Sequence, residues 1–445
     1  MKKTNHLPSD RRSFLRSSAL IGSGLVMAPA LKARAQKDPI HVGLVGAGTQ
    51  GQTLLNACMK IEGVQVKALC DIWEAYNLKR ASSILSGFKQ EHQTYADYKE
   101  MLAGKTDLDA VLIATPDFCH AEQTAACLQA GLHVYCESMM SNTLEGARAM
   151  TQAAKASGKL LQIGHQRRSN PYYRFGYEHI LHETKMLGKT IAMNGQWNRA
   201  VQPERGFPRR AVMEEAALNQ YGYASMKQFR NWEWYKELGG GPLAQFGAHQ
   251  IDVFNWFMGN PPKTVTAVGG TDYYEPKTHE WFDTVMAVFE YENSSSNVRG
   301  FYQTINSNSS FGYYENVMGD EGTLYLSESP VRVKVYREPA APDWEKWVKI
   351  GLLESVEKKE VKEEDSDAVI TLEESVAPPS YNLPVQFTDP VCQPHLENFF
   401  QAIRGEANLH CPAETGYAAT ATVLKIIESV QESKRIELKP DDFRV

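Results

Sequence analysis

Residues 40–51 read IHVGLVGAGTQG. The first six form a continuous apolar run, as in a strand buried on both faces. Gly46, Gly48 and Gly51 follow in G-x-G-x-x-G spacing, and a helical pattern then runs through LLNACMKI. Between strand and helix, that loop, with Gln50 inside it, lets the backbone approach a pyrophosphate resting on the helix N-terminus. The spacing alone is a weak signal and is also compatible with a turn that binds nothing. Asp71, twenty residues after Gly51, ends a second apolar run, VQVKALCD. A carboxylate there accepts both ribose hydroxyls and repels a 2′-phosphate, which favours NAD over NADP.

Working outward, DAVLIATP (109–116), HVYCE (133–137) and KLLQIG (159–164) repeat the apolar-run pattern. The intervening EAYNLKRASSIL, YADYKEMLAG and AEQTAACLQAG carry helical spacing, and the last stops at Gly131. Alternation of this kind predicts an α/β domain, a doubly wound parallel sheet with ligands beyond the carboxyl ends of its strands. Those ends carry Thr115 and Pro116, then His120, then Glu137 and Ser138. Each is a candidate for cofactor contact, although His120 reads equally as a helix-start residue with a solvated ring.

The N-terminus stands apart. Arg11 and Arg12 precede Phe14 and Leu15, an apolar run of 13 residues follows, and Ala33 and Ala35 precede Gln36. The run is shorter than the about 20 residues that cross a bilayer. It fits a twin-arginine export signal cleaved after Ala35, with a basic arm or a membrane anchor as alternatives. No other segment is apolar enough to span. Residues 1–35 hold seven Lys/Arg and one Asp, leaving 40 basic and 52 acidic residues in the remainder, a formal −12. That balance offers no surface for nucleic acid. The seven cysteines have no CxxC or metal-ligand spacing and read as small buried hydrophobes, with room left for one disulfide. No metal site has a signature.

The order of these pieces resembles the glucose-fructose oxidoreductase/inositol dehydrogenase (Gfo/Idh/MocA) family. The motifs are GxGxxG after the first strand, the TP…H strand end, GHQRRSNP (164–171), GGGPLAQFGAHQID (239–252) and the closing HLENFFQAIRGEANLHCPAETGYAAT (395–420). The resemblance covers nearly all of residues 38–435. It implies a Rossmann domain followed by an α+β domain with a large, mostly antiparallel sheet. It also implies a sugar, glycoside or polyol substrate, and a homo-oligomer by analogy. The expected boundaries are 1–35 for the signal, 36–163 for the Rossmann domain, 164–390 for the α+β domain and 391–445 for helices returning across the boundary. In the family an acid-lysine-proline strand end positions the cofactor and lowers the substrate hydroxyl's pKa; here those positions read Glu137-Ser138-Met139. The family's D-x-G-x-H motif falls on Gln245-Phe246-Gly247-Ala248-His249. The lysine and aspartate charges are therefore replaced by neutral hydrogen-bonding groups, and His249 becomes the expected base.

His165 is a second candidate base. Gln166 is a cofactor candidate, and Arg167, Arg168 and Asn170 are substrate candidates, with an interdomain salt-bridge cluster as the alternative. The stretch 198–238 is rich in Arg, Tyr and Trp. Within it Trp232, Trp234 and Tyr235 have the apolar faces that stack on a sugar ring, and serve equally well in a core or a subunit contact. Gln245, His249 and Asp252 share a helical spacing that puts them on or near one face. TVTAVGGTDYY, DTVMAVFEY, NVRGFYQTINS and YYENVMGDEGTLYLS read as sheet strands, and VEKKEVKEEDSDAV as a solvated insertion or lid. Three functions fit this reading. The first is an exported NAD-dependent oxidoreductase. The others are a redox-neutral glycoside-cleaving enzyme working through transient oxidation, and a non-catalytic nucleotide- and sugar-binding protein.

Overall fold

The structure is a computed structural model that describes residues 38–104, 107–292, 297–356 and 378–445. The export signal and most of the charged stretch VEKKEVKEEDSDAV lie outside the described residues.

Six parallel strands form the first sheet: β1 (Ile40–Val45), β2 (Val64–Cys70), β3 (Gln93–Tyr95), β4 (Ala110–Ile113), β5 (His133–Cys136) and β6 (Leu161–Ile163), in the order 3-2-1-4-5-6. That order places the topological switch, and hence a ligand crevice, at the carboxyl ends of β1 and β4. Helices cover the sheet for reasons visible in their spacing. α1 (Thr49–Cys58) buries Gly51, Leu54, Leu55 and Cys58, and α2 (Asp117–Gln129) buries Asp117, His120, Thr124, Cys127 and Leu128. α3 (Leu144–Ser157) starts where the Thr143 hydroxyl accepts the Gly146 N–H at 3.1 Å, and stops at Gly158 with φ +65°.

The second sheet has ten strands and is antiparallel except at one pair. β7 (Thr190–Asn198) lies at its centre, parallel to β10 (Asn297–Ile305) and antiparallel to β11 (Tyr313–Gly319). β8 (Thr264–Gly270) and β9 (Thr284–Glu292) extend the sheet beyond β10, and β12 (Gly322–Leu326) pairs with β11. The hydrophobic alternation within β8 to β12 matches the sequence reading. β7 escapes it, because TIAMNGQWN interrupts its apolar positions with Asn, Gly and Gln and its partner β10 is distant in sequence.

One face of this sheet packs under α4 (Ala248–Met258) and α6 (Ala413–Glu432), burying Val265, Ala287, Phe289, Phe254 and Ile426 in one core. The closing segment divides its loyalties. α5 (Gln393–Ile403) buries Leu396, Phe399 and Phe400 in the core of the first sheet, and α6 adds Tyr417 to that sheet's other side. The aromatic stretch 198–238 arches over the first domain, where Ala211, Leu218, Tyr223 and Met226 enclose Trp73. Full burial of such a side chain contributes about 1.5–3 kcal/mol, so the arch is held firmly.

Candidate active site

The crevice at β1 and β4 opens into a cleft of about 940 Å³ between the first sheet, the arch and the start of α4. At its floor Gly46 has φ +88°, and a Cβ there would stand 2.6 Å from the Ala114 carbonyl carbon and oxygen. A Cβ on Gly51 would overlap the Gly46 carbonyl oxygen. Gly48 faces open space apart from Asn77, 3.8 Å away. The helix behind it begins with no side-chain cap and no acid in its first turn. Free N–H groups without a competing carboxylate suit a pyrophosphate, so these residues fit the expected dinucleotide.

Asp71 closes the opposite end. Its Oδ2 accepts from the Ala47 N–H at 2.8 Å, its Oδ1 from the Trp73 N–H at 2.8 Å, and Asn77 Nδ2 lies 3.2 Å from Oδ2. Burial raises its pKa against these three donors, which also fix the carboxylate's orientation toward the cleft. Asn77 was not apparent from the sequence; its only signal is its place one helical turn into the segment after β2.

At the catalytic end, Gln50 Nε2 donates to Glu137 Oε1 at 2.8 Å, tying the glycine loop to the end of β5. Burial pushes Glu137 up to about 7, against the hydrogen bonds from Gln50 and the Ser138 N–H. The Ser138–Met139 peptide is cis. Ser138 Oγ lies 3.2 Å from His249 Nε2, while His249 Nδ1 has no protein partner. Burial, then the neighbouring His165 and Arg167, hold His249 well below the ordinary imidazole range, so it is neutral and able to accept a proton. Three features deliver it there. Gly241 takes φ +73° against Trp281, Gly240 N–H donates to Asp117 Oδ2 at 3.1 Å, and a π turn at Leu243–Gly247 leads directly into α4. Gln245, Gln166 and Trp232 also line the cleft, as do Thr115 and Pro116.

Other candidates are engaged elsewhere. His120 lines the cleft, but its ring is buried between the Met139 carbonyl (2.9 Å) and the Thr115 carbonyl (2.8 Å), so it braces two strand ends and is not solvated. His165 lies behind His249, ring centroids 5.6 Å apart, fully buried and outside the cleft. Burial, then Arg168 and Arg167, lower His165 to about 3, and its place outside the cleft, where His249 lines it, keeps it from a bound substrate. Arg167 is buried against Glu315 and Glu328, and Arg168 grips Asp252 through two nitrogens at 2.8 and 2.9 Å. Both arginines are thus ion-paired, and Asp252, which neutralises Arg168, does not line the cleft. Asn170 caps the following helix by accepting the Tyr172 N–H at 2.9 Å. Trp234 packs on His279 and Tyr274, and Tyr235 on the same core; neither reaches the cleft. Among the described residues no three His, Cys, Asp or Glu side chains are grouped to hold a metal. All seven cysteines are free.

Among the charged cleft residues not singled out as candidates from the sequence are Asp117, Arg199, Arg205 and Arg230. Their only signal was the arginine richness of 198–238 and an acid after Pro116.

Fold and cleft together define a two-domain protein with a dinucleotide-binding Rossmann domain. The chain belongs to the Gfo/Idh/MocA family: residues 40–165 match its "NAD-binding Rossmann fold" and residues 212–438 its "C-terminal alpha/beta domain". An inositol 2-dehydrogenase of Salmonella paratyphi B is 26% identical over 231 residues, 51% of this chain and 56% of the relative. This chain spans between 37% and 56% of the length of the first curated relatives it matches. The WlbA dehydrogenase of Bordetella pertussis, solved with NADH and UDP-GlcNAcA, superposes with TM-score 0.67 at 18% identity, covering 91% of this chain and 99% of that one. Levoglucosan dehydrogenase with NADH and levoglucosan gives 0.67 at 19%, covering 90% and 99%. At such identities these structures establish the fold alone.

Proposed function

We propose that the protein is an NAD-dependent oxidoreductase of a sugar, glycoside or polyol, with His249 as the proton acceptor. The observation that carries this reading is His249 Nε2 beside Ser138 Oγ at 3.2 Å, on the cleft that the glycine loop and Asp71 share. Relatives and neighbours named for inositol and levoglucosan support the substrate class.

NAD, when bound, supplies the hydride acceptor or donor. The protein's part is to orient and to move a proton. The neutral imidazole of His249 takes the proton of the reacting hydroxyl, and Ser138 Oγ holds the ring. Ionised Glu137, next to Ser138, would favour the imidazolium that results, but as an anion it does not supply the positive charge with which a lysine steadies an alkoxide. Trp232 offers an aromatic wall on the arch. The test is to incubate the purified protein with NAD and a panel of sugars and glycosides, following reduced nicotinamide by absorbance and carbonyl product by mass spectrometry. Turnover that is lost in His249→Asn supports the reading; no reduction with any member counts against it.

Two further parts belong to this proposal. Residues 1–35 direct export through the twin-arginine route, supported by Arg11, Arg12 and the Ala33-Arg34-Ala35 end. Arg11→Lys with Arg12→Lys should then retain the protein in the cytoplasm. Outside it, a tightly held cofactor would be regenerated by a second substrate. The chain also self-associates through the outer face of the second sheet. There Val268 pairs across strands with Met286, and Val288 with Phe301, all of them exposed.

A further inference from the structure

Among the cations lining the cleft, those on the arch stand apart. Lys99 meets Glu122 at 3.0 Å, and the carboxylate of Asp71 is held by three donors. On the arch side, Arg199, Arg205 and Arg230 share a single close carboxylate, Glu233, whose Oε1 lies 2.7 Å from Arg205. Arg230 donates to the Gly206 carbonyl at 3.1 Å and lies over the Trp73 ring, toward the Asp71 end. Arg199 has no carboxylate within ion-pair distance among the described residues. It directly follows β7, and its guanidinium carbon stands 4.3 Å from the centroid of Phe246, in the turn that leads into His249. Phe246 in turn packs against Trp197, ring centroids 5.0 Å apart and planes tilted by 33°.

A guanidinium laid on an aromatic face keeps its N–H edge free and in a fixed plane, the geometry that receives a carboxylate through two hydrogen bonds. Two cations near one another are also unfavourable without an anion between them. Burial and the Arg205 charge both lower the pKa of Arg199. Of the acids around them, Glu233 is buried and already paired with Arg205, and Glu204 is paired with Lys227. The cofactor's phosphates do not meet this need, since their place is the glycine loop on the opposite wall.

We propose that Arg199 and Arg205 bind a carboxylate carried by the carbohydrate substrate, so that the protein acts on a sugar acid or its glycoside. The inference rests on the oxidoreductase reading for the word substrate, but its test does not depend on turnover.

The test is calorimetric binding to the full chain loaded with NAD, using matched methyl glycosides of glucuronate and glucose, of galacturonate and galactose, and their sulfate esters. At least one uronate should bind about tenfold or more tightly than its neutral twin. That advantage should shrink with added salt and fall below about threefold in Arg199→Gln, with partial recovery in Arg199→Lys. Should Arg199→Gln melt abnormally, Arg205→Gln, at a side chain 46% exposed, provides the same comparison. Equal binding of the twins, an advantage that survives both substitutions, a preference for the sulfate esters, or no binding by any member would overturn the proposal. Nicotinamide reduction, followed separately, tests the oxidoreductase reading. A uronate preference without reduction would sink that reading alone, and reduction with neutral sugars only would sink this one.

Discussion

At the scale of single residues, the proposed chemistry turns on a neutral histidine and on Glu137, whose pKa burial raises to about 7. Replacing His249 with Asn removes the proton acceptor but keeps a group able to bond Ser138. Turnover should fall by about 10²-fold or more while NAD affinity, measured by fluorescence titration, changes little. Glu137 gives a pH signature. Its pKa stands at about 7, so its charge appears as pH rises through that value. Because the ionised form favours the imidazolium of His249, kcat should climb across neutral pH in the wild type. The same climb should be absent from Glu137→Gln; a profile unchanged by the substitution would deny Glu137 this role. Glu137, Ser138 and His249 were all legible in the sequence because each sits in a motif tied to a strand end or helix start. Arg199 and Asn77 were not, since their meaning comes from what the fold sets opposite them.

At the scale of elements, the loop from β1 to α1 separates binding from folding. Gly48→Ala adds a methyl to open space, at a cost of at most about 1 kcal/mol, yet obstructs the anion site. NAD affinity should drop by about tenfold or more with a nearly unchanged melting temperature. Gly51→Ala drives a methyl into the Gly46 carbonyl and should destabilise the fold by about 1–3 kcal/mol by urea denaturation. The segment after β6 behaves in the opposite way. GHQRRSNP reads in sequence as a cluster of polar groups for a ligand, whereas folding places Arg167 between Glu315 and Glu328, beneath the second sheet. Arg167→Met would strand the fully buried Glu315 and cost about 3–5 kcal/mol. Sequence alone could not separate these uses, because the partners of Arg167 lie on strands far along the chain.

At the scale of the whole molecule, the sheet that supports the cleft has two unlike faces. One is buried under α4 and α6; the other presents Val268, Met286, Val288 and Phe301. If that face joins copies of the chain, Val288→Lys should shift the molar mass in light scattering toward the monomer and leave the circular dichroism spectrum intact. The alternation of β8 to β10 made these strands readable, and the α/β plan of the first domain followed from its apolar runs and glycine loop. The central β7 and the arch over Trp73 were not readable, because neither carries a strong period: β7 is set by β10 and β11 far along the chain, and the arch by its packing on the first domain.

The central claim is that this cleft carries out a net oxidation or reduction of a carbohydrate with His249 moving the proton. The most direct measurement is to identify the nucleotide held by the purified protein and to follow its nicotinamide absorbance alongside product mass for wild type and His249→Asn. The account predicts nicotinamide reduction matched by an equal amount of carbonyl product, lost in the variant. Glycoside cleavage with no net change in the nicotinamide, or sugar binding with neither, would contradict it.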